Sequence, residues 1–397
     1  MKILSVVGAR PQFVKAAAVS RKMRVRHQEI LVHTGQHYDY GLSGVFFDGL
    51  EIPKPDVNLE VGSGSHAAQT GAMLVGLENL IREHRPDWLL IYGDTNSTLA
   101  GAMAAAKLNV PVAHVEAGLR SFNRRMPEEV NRVIADHVSS LLLCPSDTAV
   151  ANLAAEGILE DVHLVGDVML DVLQWARRRV DARPAILDRL GLTRKRYLLA
   201  TVHRAENTDD GGRLSRIVRA LNAIEEPVVF PVHPRTRKML AEDGVRLNPH
   251  VMMIDPVGYL DMIALTSGAR LVLTDSGGLQ KEAYWLRVPC LSLRDETEWV
   301  ETVATGWNVL VGSNDELIVL CARSFVRPES HPTLYGDGSA AERCVELMEG
   351  VTNRTHRLAR ARRQAAMDYH EDFHSGIAQS VVRSAVYGED AGSTPAP

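Results

Sequence analysis

The feature that most constrains this chain is an alternation, run through twice, of short apolar segments with amphipathic stretches of ten or more residues. In the first pass the apolar segments are Ile3–Val7, Glu29–His33, Trp88–Tyr92, Val112–Val115, Leu141–Cys144 and His163–Val165, with helical spacing between them in Ala67–Glu83 and Ser97–Lys107. In the second pass they are Tyr197–Thr201, Val228–Pro231, Val251–Ile254, Leu271–Thr274, Cys290–Leu293 and Asn308–Val311. Continuous apolar runs, as opposed to every-other-residue alternation, belong to strands buried on both faces of a parallel sheet. Strands alternating with long helices form doubly wound sheets. The expected fold class is therefore α/β, with two Rossmann-like domains. The polar stretch 177–196, with Pro184, places the division before or within it, and we expect one domain over 1–170 and a second over 171–364. A length of 397 residues suits two domains of roughly 200 residues better than one. The small, polar residues of 388–397 are expected to form a flexible tail.

Composition excludes more than it assigns. The 44 basic and 49 acidic residues leave a net charge of −5, which gives nucleic acid or an anionic membrane no electrostatic hold. Cys144, Cys290, Cys321 and Cys344 are far apart and form no metal-binding or disulfide pattern. The first apolar run stops at Gly8-Ala9-Arg10-Pro11, too early for a secretion signal, and no run reaches the roughly 18 apolar residues of a membrane span. The expectation is a cytoplasmic protein.

In doubly wound sheets ligands sit beyond the carboxyl ends of the strands, so residues directly after strands carry the information. After the first come Gly8, Arg10, Pro11 and Lys15, cations flanking a helix start and thus a natural anion site, although neither a P-loop nor a dinucleotide fingerprint is present. After the third comes Gly93-Asp94-Thr95-Asn96-Ser97-Thr98. Asp94 is either a helix cap or a site carboxylate. After the fourth comes Glu116, which either pairs with Arg120 or lies desolvated with a raised pKa suited to proton transfer. Glu128 follows Pro127 at a helix start, where acids are ordinary, and supplies a third carboxylate. In the second half, His203-Arg204-Ala205-Glu206-Asn207 follows a strand, and a protonated His203 with Arg204 would meet a departing phosphate. Ser276, Gly277 and Gly278 at a helix start let backbone N–H groups approach an anion; Glu282, one to two turns on, would repel phosphate but accept hydrogen bonds from sugar hydroxyls. This segment is the strongest phosphate candidate, with a plain glycine-rich turn as the alternative.

The combination GARPQFVK, YGDTNSTLAG, HVEAGLRS, MPEEVNR, TVHRAEN and LTDSGGLQKEA, in this order from Met1 to about Gly312, resembles the non-hydrolysing UDP-N-acetylglucosamine 2-epimerases. The resemblance implies a GT-B-type arrangement with the active site in the cleft between domains, and a terminal helix near 365–387 that packs back on the first domain. It implies reversible inversion at C2 through elimination and re-addition of UDP, by way of a glycal. It matches Arg10, Lys15, Asp94, Glu116, Glu128 and His203 to catalytic or substrate positions, Ser276, Gly277 and Gly278 to the diphosphate turn, and Glu282 to the ribose contact. It implies a homodimer and no metal or organic cofactor.

Two stretches depart from the best-known bacterial members. Trp299 stands where they commonly carry arginine, and His66-Ala67-Ala68-Gln69-Thr70 lacks the arginine of an activator site to which Gln36, His37 and Gln69 would also belong. GARPQF and RDETEW look more like the branch acting on modified sugars such as UDP-2,3-diacetamido-2,3-dideoxyglucuronate. Arg124 and Arg125 either meet the carboxylate of such a sugar or lie in a solvated loop. A GT-B glycosyltransferase and a hydrolysing relative are the competing activities.

Overall fold

The computed structural model describes residues 1–35, 54–180, 185–242, 244 and 246–354. The terminal helix expected near 365–387, the tail 388–397, Gln36 and His37 lie outside the described residues.

The first half contains β1 (Lys2–Val7), α1 (Arg10–Arg26), β2 (Gln28–His33), β3 (Val57–Asn58), α2 (His66–His84), β4 (Trp88–Tyr92), α3 (Asn96–Lys107), β5 (Val112–Val115), α4 (Pro127–Val138), β6 (Leu141–Cys144), α5 (Asp147–Ala155) and β7 (Val162–Leu164). These strands form one seven-stranded parallel sheet in the order β3-β2-β1-β4-β5-β6-β7. The second half contains α6 (Val168–Val180), α7 (Ala185–Arg189), β8 (Leu198–Thr201), α8 (Ala205–Thr208), α9 (Gly211–Ala223), β9 (Val228–Pro231), α10 (Pro234–Glu242), β10 (Val251–Ile254), α11 (Tyr259–Gly268), β11 (Leu271–Thr274), α12 (Gly277–Trp285), β12 (Cys290–Ser292), α13 (Val300–Ala304), β13 (Asn308–Leu310) and α14 (Asp315–Ser324). Its six strands are again all parallel, in the order β10-β9-β8-β11-β12-β13. Every apolar run named from the sequence is a strand within a residue or two. β3 is the addition, a two-residue strand too short to show a pattern.

Both sheets reverse their winding at one point, between β1 and β4 and between β8 and β11. Strands β1, β4, β5, β8 and β11 are buried along almost their whole length, because helices cover both faces. Each sheet has its own apolar core, with Leu4, Val6, Leu89 and Ile91 against Met73, Leu77 and Ala100 in the first, and Leu198, Ala200, Leu271 and Leu273 against Leu214, Ile217 and Leu221 in the second. A third cluster spans the halves: Trp299 and Tyr335 pack with Ala117, Leu119, Leu142 and Leu153. Residues 170 and 171 lie inside α6, the first helix after the first sheet. Among the described residues no helix is long and apolar enough to cross a membrane.

Candidate active site

The switch point of the first sheet is built on Gln12. Its Oε1 accepts the backbone N–H groups of Gly8 (2.8 Å) and Ala9 (3.1 Å), and its Nε2 donates to the carbonyl of Tyr92 (2.7 Å). This buried amide ties the end of β1 to the end of β4. Arg10 opens α1, and Lys15 follows one and a half turns later. Lys15 is buried and its ammonium is paired with Glu116.

Asp94 is not the cap of α3; Thr95 holds that position, its N–H donating to Thr98 Oγ1 at 3.1 Å. The Asp94 carboxylate instead pairs with Arg132 of α4, and Asn131 Nδ2 donates to the Asp94 carbonyl at 3.0 Å. One helix therefore fixes both the backbone and the side chain of Asp94. Glu129, the neighbour of Glu128, is buried and accepts from Ser121 N–H (2.9 Å), Phe122 N–H (3.0 Å) and Arg132 (3.2 Å). Glu128 itself is exposed in the first turn of α4. That contrast follows from helix geometry, since consecutive residues point about 100° apart.

Glu116 follows β5 with a left-handed backbone, φ 70°. For a residue with a Cβ this conformation costs on the order of 1–2 kcal/mol. It turns the carboxylate toward Lys15 and, at 3.4 Å, toward Lys281 of α12. Lys281 is paired in turn with Asp167, which lies between β7 and α6. A buried row of alternating charge, Lys15–Glu116–Lys281–Asp167, thus runs from the first half into the second. The expected rise in the Glu116 pKa is overturned: the two ammonium groups outweigh burial and hold the carboxyl down at about 2. The Glu116–Arg120 pair does not form either. Arg120 forks onto Glu156 (2.7 and 2.8 Å) and reaches Asp136 (2.7 Å).

The second switch point faces this row. Asp275, directly after β11, is completely buried and accepts the backbone N–H groups of His203 and Arg204, each at 3.0 Å, and Asn207 Nδ2 at 3.2 Å. His203 Nδ1 lies 3.3 Å from Asp275 Oδ1, while the ring is half-exposed. Ser276 is the N-cap of α12, its hydroxyl accepting from Leu279 N–H, and Gly277 and Gly278 are the first two helical residues. Their N–H groups have no partner four residues back, so this end is open to an anion. A Cβ on Gly277 would come within 3.0 Å of Trp299 Nε1. Glu282, in the second turn, is buried and accepts a 2.9 Å hydrogen bond from Tyr259.

Trp299 turns its indole face to Lys281, whose ammonium lies 3.5 Å from the ring centroid. Its neighbour Glu298 is buried, paired with Arg294 (2.8 and 3.2 Å) and 4.0 Å from Arg132. The Arg294 hydrogen bonds, with the charges of Arg204 and Arg132, hold the Glu298 carboxyl down at about 2. Asn123 Nδ2 donates to Glu296 Oε1 at 3.1 Å, a further bond between the halves. Arg124 and Arg125 are exposed on the same loop.

Lys281, Asp167, Arg132, Glu298 and Tyr259 were not singled out in the sequence. Asp167 had the signal that served elsewhere, a carboxylate just past a strand. Lys281 lies inside a quoted motif, but a lysine on a helix reads as solvated until its carboxylates are brought to it. Among the described residues, no group of three or more His, Cys, Asp or Glu side chains is arranged to hold a metal ion.

The family model described as UDP-N-acetylglucosamine 2-epimerase matches residues 20–349. The chain is 51% identical over 357 residues to a UDP-N-acetylglucosamine 2-epimerase homolog of Methanococcus maripaludis, covering 88% of this chain and 100% of that one. It is 49% identical over 358 residues to the UDP-2,3-diacetamido-2,3-dideoxy-D-glucuronate 2-epimerase of Pseudomonas aeruginosa, covering 88% and 99%. The crystal structure of the Methanocaldococcus jannaschii UDP-GlcNAc 2-epimerase, in complex with UDP-GlcNAc and UDP, superposes with a TM-score of 0.82 at 40% identity, covering 88% and 99%. The two facing parallel sheets are thus the GT-B-type pairing of that structural class. On sequence, fold and the order of its strand-end motifs, the chain belongs to the UDP-N-acetylglucosamine 2-epimerase family.

Proposed function

We propose that this chain interconverts UDP-N-acetylglucosamine and UDP-N-acetylmannosamine by eliminating and re-adding UDP. The observation that carries this reading is the ionised Glu116, held between Lys15 of the first half and Lys281 of the helix that opens on Ser276, Gly277 and Gly278. It joins a base for the sugar to an anion site for the leaving group.

A base on the first half, among Asp94, Glu116 and Glu128, removes the C2 proton. The C–H electron pair becomes the C1=C2 bond of a glycal, and the C1–O bond breaks with its pair passing to the β-phosphate oxygen of UDP. The N–H groups at the start of α12, with Arg10, Arg204 and His203, offset that charge, and Glu282 receives the ribose hydroxyls. Delivery of a proton to the opposite face of C2 and return of UDP to C1 complete the inversion. The same reading has a homodimer acting in the cytoplasm, and sedimentation of the purified chain tests the first part. The test of the chemistry is turnover of UDP-N-acetylglucosamine in D2O followed by proton NMR. Deuterium at C2 of the epimer supports elimination; product with an unlabelled C2 sinks it. Free sugar accumulating with UDP would select hydrolysis, and UDP release only with an added acceptor would select glycosyl transfer.

A second reading, with UDP-2,3-diacetamido-2,3-dideoxyglucuronate as substrate, would give Arg124 and Arg125, exposed on the loop that bonds Glu296, a sugar carboxylate to meet. The 49% identity to the Pseudomonas aeruginosa enzyme supports it. Offering both UDP-sugars at equal concentration and comparing kcat/KM decides between them.

A further inference from the structure

We propose that Lys281 is a positioning residue, which locks the Glu116 carboxylate to the helix whose N-terminus receives the diphosphate. The inference rests on the reading above, that α12 binds the diphosphate, and takes Glu116, of the three carboxylates named there, as the one that handles the C2 proton.

Lys281 is only 1% exposed, so it touches Glu116 and Asp167, not solvent. A buried ammonium placed for stability alone needs one carboxylate, and Asp167 provides it. The second reach, 3.4 Å to Glu116 Oε2, goes to the strand end after β5. Trp299 lies under the ammonium at 3.5 Å and Trp285 at 5.9 Å, leaving the side chain little freedom to swing away. Glu116 is gripped from both of its oxygens: Lys15 of α1 holds Oε1 and Lys281 of α12 faces Oε2. Asp167, before α6, is the remaining charge on Lys281. Lys281 is the fifth residue of α12, on the same short rigid rod as Gly277 and Gly278. Any displacement of α12 when its N-terminus takes up phosphate is therefore transmitted to one oxygen of Glu116. The tie also keeps that carboxylate ionised and aimed.

The test uses the full-length Lys281→Met, Asp167→Asn and Lys281→Met/Asp167→Asn variants with UDP-N-acetylglucosamine and the diacetamido-glucuronate analogue as probes. Loss of the ammonium should move the acid limb of kcat upward by roughly 1–3 pH units, as expected for removing one adjacent opposite charge. KM should stay within about threefold, because uniform binding is untouched. The double variant keeps no orphaned Asp167 charge, so it should fold where the single variant fails, and it should show the same upward limb. Lys281→Arg should restore the limb toward wild type. Asp167→Asn should leave the limb at or below its wild-type position. An unmoved limb in both Lys281→Met variants, or an upward limb in Asp167→Asn, overturns the proposal. Glu116→Gln separates the two levels: if it still turns over, the reading of Glu116 itself fails. If it is inactive while the Lys281 variants keep the wild-type limb, only the positioning role fails.

Discussion

Asp275 lies completely buried beneath His203, its carboxylate accepting the His203 backbone N–H at 3.0 Å and facing the ring Nδ1 at 3.3 Å. The strand end after β11 thus sets both the backbone and the ring of a residue on the strand end after β8. Asp275→Ala leaves the N–H groups of His203 and Arg204 without their acceptor and Asn207 Nδ2 with only the Leu293 carbonyl. Each buried unsatisfied donor costs about 1–3 kcal/mol. The variant is expected to lose about 2 kcal/mol in urea unfolding, and UDP should bind it weakly. A midpoint equal to wild type would refute the assignment.

Gly93 has φ 61°, and a Cβ there would lie 3.1 Å from Lys15 Nζ and 3.5 Å from Glu116 Oε1. Gly93→Ala combines backbone strain of about 1–2 kcal/mol with pressure on the Lys15–Glu116 pair. Turnover should fall further than stability does, by at least about tenfold beyond what the lost stability accounts for. Thermal unfolding and initial rates on the same preparation check this.

Glu298 has a folded pKa depressed to about 2. A depressed carboxyl stabilises the fold above its unfolded pKa, and that contribution is lost as pH falls through the folded value. Glu298→Gln should accordingly be less stable than wild type near neutrality. The gap should close as pH drops from the ordinary carboxylate range toward 2. Urea titrations at several pH values would show a constant gap if the Arg294 pair were unimportant.

Glu128 is exposed at the second position of α4, where its charge does little more for the fold than favour a helix N-terminus. Glu128→Gln is expected to cut kcat by about a hundredfold or more, the usual worth of a general acid or base, with no change in melting temperature. Retained kcat would reduce Glu128 to a helix-end charge.

Tyr259 commits one Glu282 oxygen at 2.9 Å and so orients the carboxylate. Glu282→Gln should raise the UDP dissociation constant by about 10- to 150-fold, which corresponds to about 1.5–3 kcal/mol for hydrogen bonds to charged groups. Tyr259→Phe should raise it by less. Calorimetry with UDP alone measures both, and an unchanged constant in Glu282→Gln would remove it from the nucleotide site.

The strands were legible because burial on both faces writes itself as unbroken apolar runs such as Trp88–Tyr92 and Leu271–Thr274. Strand ends were legible for the same reason: polar residues directly after such runs, Asp94, Glu116, His203 and Ser276, stand out against them. What stayed hidden was pairing. The sequence brings Glu116 close to Arg120, four residues away, whereas its observed partners are Lys15 and Lys281, 101 and 165 residues distant. That choice of partner reversed the expected direction of the Glu116 pKa. Local spacing carries no information about which cation the tertiary fold delivers.

The stacking of Lys281 on Trp299 bears on how this branch of the family can drift. Arginine at position 299 would set a second cation beside a sequestered ammonium, with Asp167 and Glu116 already committed to the first. Lysine at 281 and an uncharged aromatic at 299 are therefore expected to be epistatic. A cation at 281 should go with an uncharged residue at 299, and the two positions should vary together.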